Sequence, residues 1–241
     1  MMQLNHIKYH NKYPCTVFEF PEFIDENIFN ILKNTFPKLS LETFKNNSDG
    51  KFSFYSDSEH FINLRKNKEV NDFFNYLESK NFINNLIKIL FKYILINCFN
   101  LKVLYKVLTA IILRKNKFRI QIQYSYIING GFIVPHLDGR KKLISLMLYF
   151  PDVMENKIVS EKEEKSGTYF LINNYKQITN EHIKDKETEE KLKKNSKIFF
   201  IPFIKKNLYG FIRSNNSWHG LEPVDVHENY IRKSININIL I

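Results

Sequence analysis

The spacing of apolar residues changes near Phe118, and this change constrains the fold more than any other feature of the sequence. Before it, apolar residues recur every three to four positions, as they do along amphipathic helices. Asp25 is placed to cap the first helix, which should end before Pro37. We predict that three apolar stripes face a core: Ile28, Ile31 and Leu32; Val70, Phe73, Phe74 and Leu77; and Phe82, Leu86, Ile89, Leu90 and Tyr93.

From Phe118 onward the apolar residues alternate with a period of two, and β-branched and aromatic residues dominate. This pattern predicts strands in FRIQIQYSYI, LISLMLYF, TYFLI, KIFFIPFI, LYGFI and SININILI. Six or more short strands without intervening helices are typical of an all-β barrel or sandwich. No repeat or linker divides the chain. We therefore predict one domain, residues 1–241, in which a mainly helical layer (1–117) packs on a β core (118–241).

The composition excludes several classes of protein. Hydrophobic residues make up 44% of the chain and charged residues 25%, as in globular proteins, so a disordered chain is not expected. Cys15 and Cys98 are too few for a disulfide scaffold or a cysteine zinc site. The stretch MMQLNHIKYHNKY lacks the apolar segment of a signal peptide, and nothing approaches the ~20 apolar residues of a membrane span. We expect a cytoplasmic protein with reduced thiols.

Three segments allow more than one interpretation. Lysines interrupt the apolar region from Phe82 to Leu113, which favours amphipathic core helices, with binding to a membrane surface as the alternative. Residues 155–165 and 180–197 are rich in Glu and Lys of nearly balanced charge. Such segments are usually solvated loops or exposed helices, and the alternative is a mobile lid over a site.

A candidate metal site begins in the segment GGFIVPHLDG. On a strand, residues two apart point to the same face, so His136 and Asp138 present an imidazole and a carboxylate together. A second imidazole is available from His219 in the segment SWHG, with His227 as a rival. Two histidines and one carboxylate leave three metal positions open, which suits non-haem Fe(II) oxygenases, whereas structural zinc uses four protein ligands. Alone, the His-x-Asp spacing is weak, because it arises easily by chance.

The last predicted strand has an unusual polar face. Alternation puts Arg232, Ser234, Asn236 and Asn238 on one face, and Ile235, Ile237 and Ile239 on the other. Such a face is expected where it lines a pocket. Arg232 would offer a two-pronged donor to a carboxylate, with the Ser234 hydroxyl beside it. The alternative is a surface arginine on an edge strand.

In chain order, His136-x-Asp138 is followed by His219 after 83 positions and by Arg232 after 13 more. This order resembles the Fe(II)- and 2-oxoglutarate-dependent dioxygenases, specifically the prolyl-4-hydroxylase-like branch. The resemblance extends over nearly the whole chain and is strongest over 118–241. It rests on the segments YSYIINGGFIVPHLD, KKLISLMLYFP, SGTYFLI and IPFIKKNLYGFIRSNNSWHGLEPV, and on the lead-in YPCTVFEFPEFIDENIFNILKNTFP.

The resemblance implies a double-stranded β-helix (jelly-roll, cupin-like) core of α+β class, with the N-terminal helices packed on it. It implies that His136, Asp138 and His219 bind Fe(II), and that Arg232 pairs with the distal carboxylate of 2-oxoglutarate, with Ser234 beside it. Tyr126 lies near the family's tyrosine and is implied as a co-substrate contact. The implied reaction consumes O2 and 2-oxoglutarate, with ascorbate as a possible reductant. The implied substrates are small molecules, glycans or protein side chains.

Two other functions stay open. A nucleic-acid dealkylase of the same superfamily would fit the basic composition, but those enzymes carry a second arginine where this chain continues Ser-Ile-Asn-Ile-Asn-Ile, so a nucleic-acid partner is not expected. A jelly-roll protein that binds an anion without catalysis is the other alternative. No sequence feature indicates an oligomeric state.

The charge of the chain is unevenly distributed. The net charge is +11, and residues 101–150 carry nine basic side chains and a single acidic one, Asp138. Arg140, Lys141 and Lys142 follow the predicted metal strand directly. We therefore expect a positive field around the pocket, which would attract 2-oxoglutarate and an anionic substrate.

Overall fold

Two antiparallel sheets form the centre of the computed structural model, which describes residues 2, 4, 6–44, 47–98, 101–112, 118–152, 157–173, 183 and 185–241. The strands within these residues are β1 (Lys8–Asn11), β2 (Val17–Phe20), β3 (Lys51–Tyr55), β4 (Arg119–Ile128), β5 (Ile133–His136), β6 (Lys142–Tyr149), β7 (Thr168–Ile172), β8 (Lys197–Ile201), β9 (Leu208–Ile212), β10 (Trp218–Leu221) and β11 (Ile231–Leu240).

The order of the strands identifies the fold. The larger sheet runs β1-β2-β9-β6-β11-β4-β3 and the smaller one β5-β10-β7-β8. The eight strands from β4 to β11 can be numbered 1 to 8 in chain order. The larger sheet then holds strands 1, 8, 3 and 6 side by side, and the smaller sheet holds strands 2, 7, 4 and 5. This is the arrangement of an eight-stranded jelly roll, in which the chain winds between two facing sheets. The double-stranded β-helix predicted from the sequence is therefore confirmed.

Alternation predicted the strands of the second half of the chain closely. β7 and β9 coincide with the segments TYFLI and LYGFI, and β8 ends at Ile201 because Pro202 cannot donate to a neighbouring strand. The longest pairing joins β11 to β4, from Ile231 opposite Ile128 to Leu240 opposite Arg119. These two strands lie side by side and both contribute side chains to the pocket between the sheets.

The first half of the chain is mainly helical and covers the larger sheet. Its helices, within the described residues, are α1 (Glu26–Asn34), α2 (Glu59–Leu64), α3 (Lys68–Glu78), α4 (Lys80–Cys98) and α5 (Leu101–Ile112). The Asp25 side chain caps α1 by accepting a hydrogen bond from Ile28 N, as predicted, and α1 ends before Pro37. The stripe on α3 is fully buried, and the stripe on α4 is buried at Phe82, Leu86 and Leu90. These side chains share one hydrophobic core with the isoleucines of β11.

Three strands in the first half, β1, β2 and β3, were not predicted. They extend the larger sheet at both edges: β2 pairs with β9, and β3 pairs with β4. Each has only four or five residues, too few for a period of two to stand out from a helical background. The pairing of β3 with β4 brings the N-terminal half of the chain to the edge of the pocket.

The apolar region from Phe82 to Leu113 forms α4 and α5. Eight of its described apolar side chains are buried, while Ile96 on α4 and Leu101, Tyr105 and Ile112 on α5 are exposed. Among the described residues, no helix is long and apolar enough to cross a membrane.

The two segments rich in Glu and Lys form helices where they are described. Residues 157–164 are α6 (Lys157–Glu164) and residues 186–194 are α7 (Lys186–Lys194); residues 155–156, 180–182 and 184 lie outside the described part. On α6, Glu163 is buried and accepts a hydrogen bond of 2.6 Å from Tyr230 Oη. Burial raises the pKa of the Glu163 carboxyl, although the hydrogen bond from Tyr230 opposes this. A buried anchor of this kind attaches α6 to the β core.

Candidate metal centre

His136, Asp138 and His219 lie together between the two sheets. His136 ends β5, Asp138 follows two positions later, and His219 on β10 is directly opposite His136 in the antiparallel pairing. The three side chains each offer one ligand atom, and these atoms lie within 4.8 Å of one another. Residues separated by 83 positions in the chain are thus brought together by the pairing of β5 with β10.

Both imidazoles are oriented by backbone carbonyls. His136 Nδ1 lies 3.0 Å from the carbonyl oxygen of Val134, and His219 Nδ1 lies 2.9 Å from that of Ser217. A carbonyl oxygen only accepts, so in each ring Nδ1 carries the proton and donates it. Nε2 is then the basic nitrogen, which is the form that binds a metal ion.

The electrostatic surroundings favour neutral histidines and an ionised carboxylate. Burial and the neighbouring His219 lower the pKa of His136 to about 3, and burial lowers the pKa of His219. Burial alone would raise the pKa of Asp138, but His219, Lys142 and a hydrogen bond from Ser145 lower it to about 2. All three groups are therefore in the protonation state of metal ligands at neutral pH.

The carboxylate of Asp138 is held on both sides. Lys142 Nζ donates to Oδ1 at 2.5 Å, and Ser145 Oγ donates to Oδ2 at 2.5 Å. The backbone is also fixed, because Arg213 Nε donates to the Asp138 carbonyl oxygen at 3.2 Å. Partners of this kind orient a ligating carboxylate and tune its affinity for metal.

The donor set fits an open iron site better than a structural zinc site. Within the described residues, this is the one group of three or more His, Cys, Asp or Glu side chains close enough to hold a metal ion, and it has no fourth member. Two imidazoles and a carboxylate leave coordination positions for small molecules. A closed four-ligand zinc site would need a further protein donor.

A pocket opens from this cluster along the larger sheet. Polar side chains from several of its strands line the pocket. They include Arg232, Ser234, Asn236 and Asn238 on β11, Gln123 and Ser125 on β4, and Ser145 on β6. The isoleucines of β11 face the helices instead. The polar face predicted from the alternation of β11 is thus the pocket wall.

Arg232 is buried in this wall. Its Nε donates to the carbonyl oxygen of Ser166 at 2.6 Å, and its guanidinium lies 4.9 Å from the ring centre of Tyr149 and 4.7 Å from that of Phe203. Its Nη1 is 3.5 Å from Ser234 Oγ. Burial lowers the pKa of Arg232, but a guanidinium stays charged in proteins. Within the described part of the chain, no carboxylate forms an ion pair with it, so the pocket holds a buried cation ready for an anionic ligand.

Three residues considered in the sequence analysis, Tyr126, His227 and Lys233, lie outside the pocket. Tyr126 does not reach the pocket: its hydroxyl donates to the carbonyl oxygen of Pro37 at 3.3 Å, and its ring packs 5.5 Å from that of Phe36. Its neighbour Ser125 faces the pocket, because one residue along a strand reverses the face. His227 is exposed in the loop before β11 and is not part of the histidine and aspartate cluster. Lys233 does not line the pocket, whereas Arg232 does.

Sequence reasoning missed Lys51 on β3, which lines the same pocket. The segment KFSFY does alternate, but a five-residue strand among helices carries too little periodicity to be assigned a partner sheet. Ser145 was also missed as a partner of Asp138. Its strand was predicted correctly, yet no sequence signal shows which residue of a strand faces a given carboxylate.

The origin of the positive charge differs from the prediction. Among the basic residues of 101–150, Lys142 lines the pocket, whereas Arg140 and Lys141 are exposed on the turn before it, and residues 114, 115 and 117 lie outside the described part. The other cations of the pocket wall are Lys51 and Arg232, from β3 and β11. The pocket is cationic because three distant segments meet, and the local excess of charge in the sequence contributes only one of the three.

No protein-family model matches the sequence, and no curated protein matches it. Among solved structures, a prolyl-4-hydroxylase from Pseudomonas putida is similar over 93% of this chain and 91% of its own, with 10% identity and a TM-score of 0.49. HygX from Streptomyces hygroscopicus, solved with nickel and 2-oxoglutarate bound, is similar over 93% and 82%, with 7% identity and a TM-score of 0.47.

A prolyl hydroxylase from Trichoplax adhaerens, in complex with a peptide fragment of the hypoxia-inducible-factor oxygen degradation domain, is similar over 93% of this chain and 83% of its own, with 12% identity and a TM-score of 0.47. The strand order and the geometry of the pocket are features of this chain and do not depend on these solved structures. The chain has the double-stranded β-helix fold, and two histidines and an aspartate meet in its pocket.

Proposed function

We propose that this chain, acting as one domain over residues 1–241, is an Fe(II)- and 2-oxoglutarate-dependent dioxygenase that hydroxylates an anionic substrate. The observation that carries the proposal is a single pocket with two complementary parts. A cluster of two imidazoles and a carboxylate, with ligand atoms within 4.8 Å, shares it with a buried arginine that has no carboxylate partner among the described residues. The first part suits a metal ion, and the second suits the far carboxylate of a dicarboxylic acid.

The residues divide the work between holding the metal and holding the co-substrate. His136, Asp138 and His219 would bind Fe(II), which when bound supplies the redox chemistry that converts 2-oxoglutarate, O2 and substrate to succinate, CO2 and hydroxylated substrate. Arg232 would bind the distal carboxylate with its fork of donors, assisted by the Ser234 hydroxyl. Because Ser166, Tyr149 and Phe203 already fix the guanidinium, little side-chain entropy is lost when the acid binds.

The surrounding residues keep the ligands in position. Ser145 and Lys142 hold the two oxygens of Asp138, and the rings of Phe170 and Phe211 lie 5.8 Å and 4.5 Å from that of His219. Rigid packing of this kind fixes the ligand geometry and limits water around the metal. Neutral histidines avoid placing further positive charge beside the metal ion.

The charge of the pocket is the reason to propose an anionic substrate. Lys51, Lys142 and Arg232 line it, and Asp138 is the acid among its lining residues. An overall positive pocket concentrates anions and disfavours cationic substrates. O2 and the optional reductant ascorbate belong to the same proposal.

Turnover of 2-oxoglutarate is the test. Purified protein with Fe(II), ascorbate and 2-oxoglutarate under air should release succinate slowly without substrate, and faster when a metabolite library supplies an anionic substrate. His136→Ala and His219→Ala should abolish release. Active His219→Ala protein would refute the ligand assignment.

Absence of succinate, with 2-oxoglutarate still bound tightly, would favour the alternative of a binding protein without catalysis. Binding of DNA that weakens steeply with salt would instead favour the nucleic-acid dealkylase.

A further inference from the structure

Lys51 and Arg232 lie in the same row across the larger sheet. In the pairing of β3 with β4, Lys51 is opposite Ile127, and in the pairing of β4 with β11, Ile127 is opposite Arg232. Residues opposite each other on neighbouring strands point to the same face. Lys51 therefore faces the pocket from the edge strand, two strand spacings or roughly 10 Å from the backbone of Arg232.

Among the residues that the structure describes, the Lys51 ammonium has no direct partner. Its backbone N–H donates to Asp49 Oδ1 at 3.1 Å, but its Nζ makes no hydrogen bond or ion pair with any residue that the structure describes. The other lysine of the pocket, Lys142, is paired with Asp138. Lys51 is only partly exposed. A half-buried ammonium that faces a cavity and forms no ion pair there costs folding free energy, unless a ligand supplies the opposite charge.

Two amide side chains line the same pocket farther along the sheet, in the row of Tyr55, four residues along β4 from the row of Lys51. Gln123 and Asn236 are opposite each other on β4 and β11 and both line the pocket. Neither side chain makes a hydrogen bond to a described residue. Amides that can donate and accept suit a ligand rich in hydroxyl or carbonyl groups. The amides lie in a different row from Arg232, which the proposed function assigns to 2-oxoglutarate, whereas Lys51 shares the row of Arg232 from the edge strand.

We propose that Lys51 is a substrate-binding residue, and that the substrate is a polar molecule whose carboxylate or phosphate group binds the Lys51 ammonium. This inference rests on the proposed function and adds the position and chemistry of substrate recognition. Lys51 is a specificity residue supplied by the N-terminal half of the chain, while the metal ligands and Arg232 come from the second half. Substrate selection is thus encoded apart from the catalytic strands.

Binding of small anions to the loaded protein tests the inference. Protein is saturated with Fe(II) and 2-oxoglutarate under anaerobic conditions, and equilibrium dialysis measures binding of radiolabelled inorganic phosphate and, separately, acetate. Lys51→Met is compared with wild type, and Lys141→Met, which removes an exposed lysine, is the matched control. Loss of one charge-assisted hydrogen bond lowers affinity by about tenfold or more.

We expect Lys51→Met to lose about tenfold or more in affinity for at least one of the two anions, and to bind 2-oxoglutarate within about twofold of wild type. A larger loss for phosphate would identify a phosphate ester as the substrate class, and a larger loss for acetate a carboxylic acid. Lys141→Met should match wild type in every measurement.

Folding does not confound the comparison. Burial lowers the pKa of Lys51, although the nearby Asp49 opposes this, and methionine of similar length removes the cost of desolvating the charge. Lys51→Met should therefore melt at or above the temperature of wild type, and Lys51→Gln serves as a second variant.

Three results would overturn the inference. The first is unchanged binding of both anions by Lys51→Met and Lys51→Gln. The second is a tenfold loss of 2-oxoglutarate affinity with anion binding retained, which would make Lys51 a co-substrate residue. The third is a wild-type protein that binds no 2-oxoglutarate, which would refute the proposed function and this inference together.

Discussion

Replacing Arg232 with lysine should weaken 2-oxoglutarate binding by a predictable amount. Lysine keeps the positive charge but loses the fork, so one of two parallel hydrogen bonds to the distal carboxylate disappears. It also loses the 2.6 Å bond from Nε to the Ser166 carbonyl and the packing of the guanidinium between Tyr149 and Phe203. A charge-assisted hydrogen bond contributes about 1.5–3 kcal/mol, so a loss of about 2 kcal/mol, or roughly 30-fold in Kd, is expected.

Arg232→Met removes the charge as well and should cost more. Truncating one partner of a buried, hydrogen-bonded charge pair costs about 2–5 kcal/mol, which corresponds to roughly 1000-fold in Kd near 4 kcal/mol. Anaerobic calorimetry with Fe(II)-loaded protein measures both values, and Arg119→Lys, on the exposed start of β4, is the control. A Kd for Arg232→Lys within about threefold of wild type would refute the assignment of Arg232 to the carboxylate.

Three further outcomes follow from the same geometry. Ser145→Ala removes the hydrogen bond to Asp138 Oδ2 and should weaken Fe(II) binding about tenfold in a chelator competition, with unchanged affinity as the contrary result. The folded-state pKa of His136 lies below its ordinary 6.5, at about 3, so the metal-free protein should lose stability as pH falls from 6.5 to 4.5. Denaturant titrations should show that the free energy of unfolding falls less steeply with pH in His136→Gln. The same pH dependence in wild type and variant would contradict this. Gly167→Ala would place a Cβ in collision with the Ile201 carbonyl oxygen and should lower the free energy of unfolding by about 3 kcal/mol, whereas a neutral effect in the same titrations would show that the backbone yields there.

The parts of the site that were predictable from the sequence are those that depend on strand alternation. Arg232 and Ser234 share a face two residues apart, as do His136 and Asp138, and a period of two places such pairs without knowledge of the fold. The same rule accounts for the position of Tyr126. In the pairing of β4 with β3 and β11, Tyr126 points toward Pro37 and Ser125, one position away, points toward the pocket.

The parts that were not predictable depend on pairing between distant segments. Lys51 reaches the pocket because β3 pairs with β4, although about 70 residues separate them in the chain. The partner of Asp138 is on a neighbouring strand, and the carbonyl that holds Arg232 follows α6. Such contacts depend on sheet register and helix packing. They join segments that are distant in the chain, so no local pattern in a single sequence predicts them.

The visible absorption spectrum under anaerobic conditions tests the central claim most directly. If His136, Asp138 and His219 bind Fe(II) and leave adjacent positions for the keto-acid end of 2-oxoglutarate, adding both components should produce a visible charge-transfer band that saturates at one equivalent of each per chain. The band should be absent in His219→Ala and should require more 2-oxoglutarate in Arg232→Lys. A wild-type protein that shows no band at saturating Fe(II) and 2-oxoglutarate, or a His219→Ala protein that shows the same band, would contradict the account.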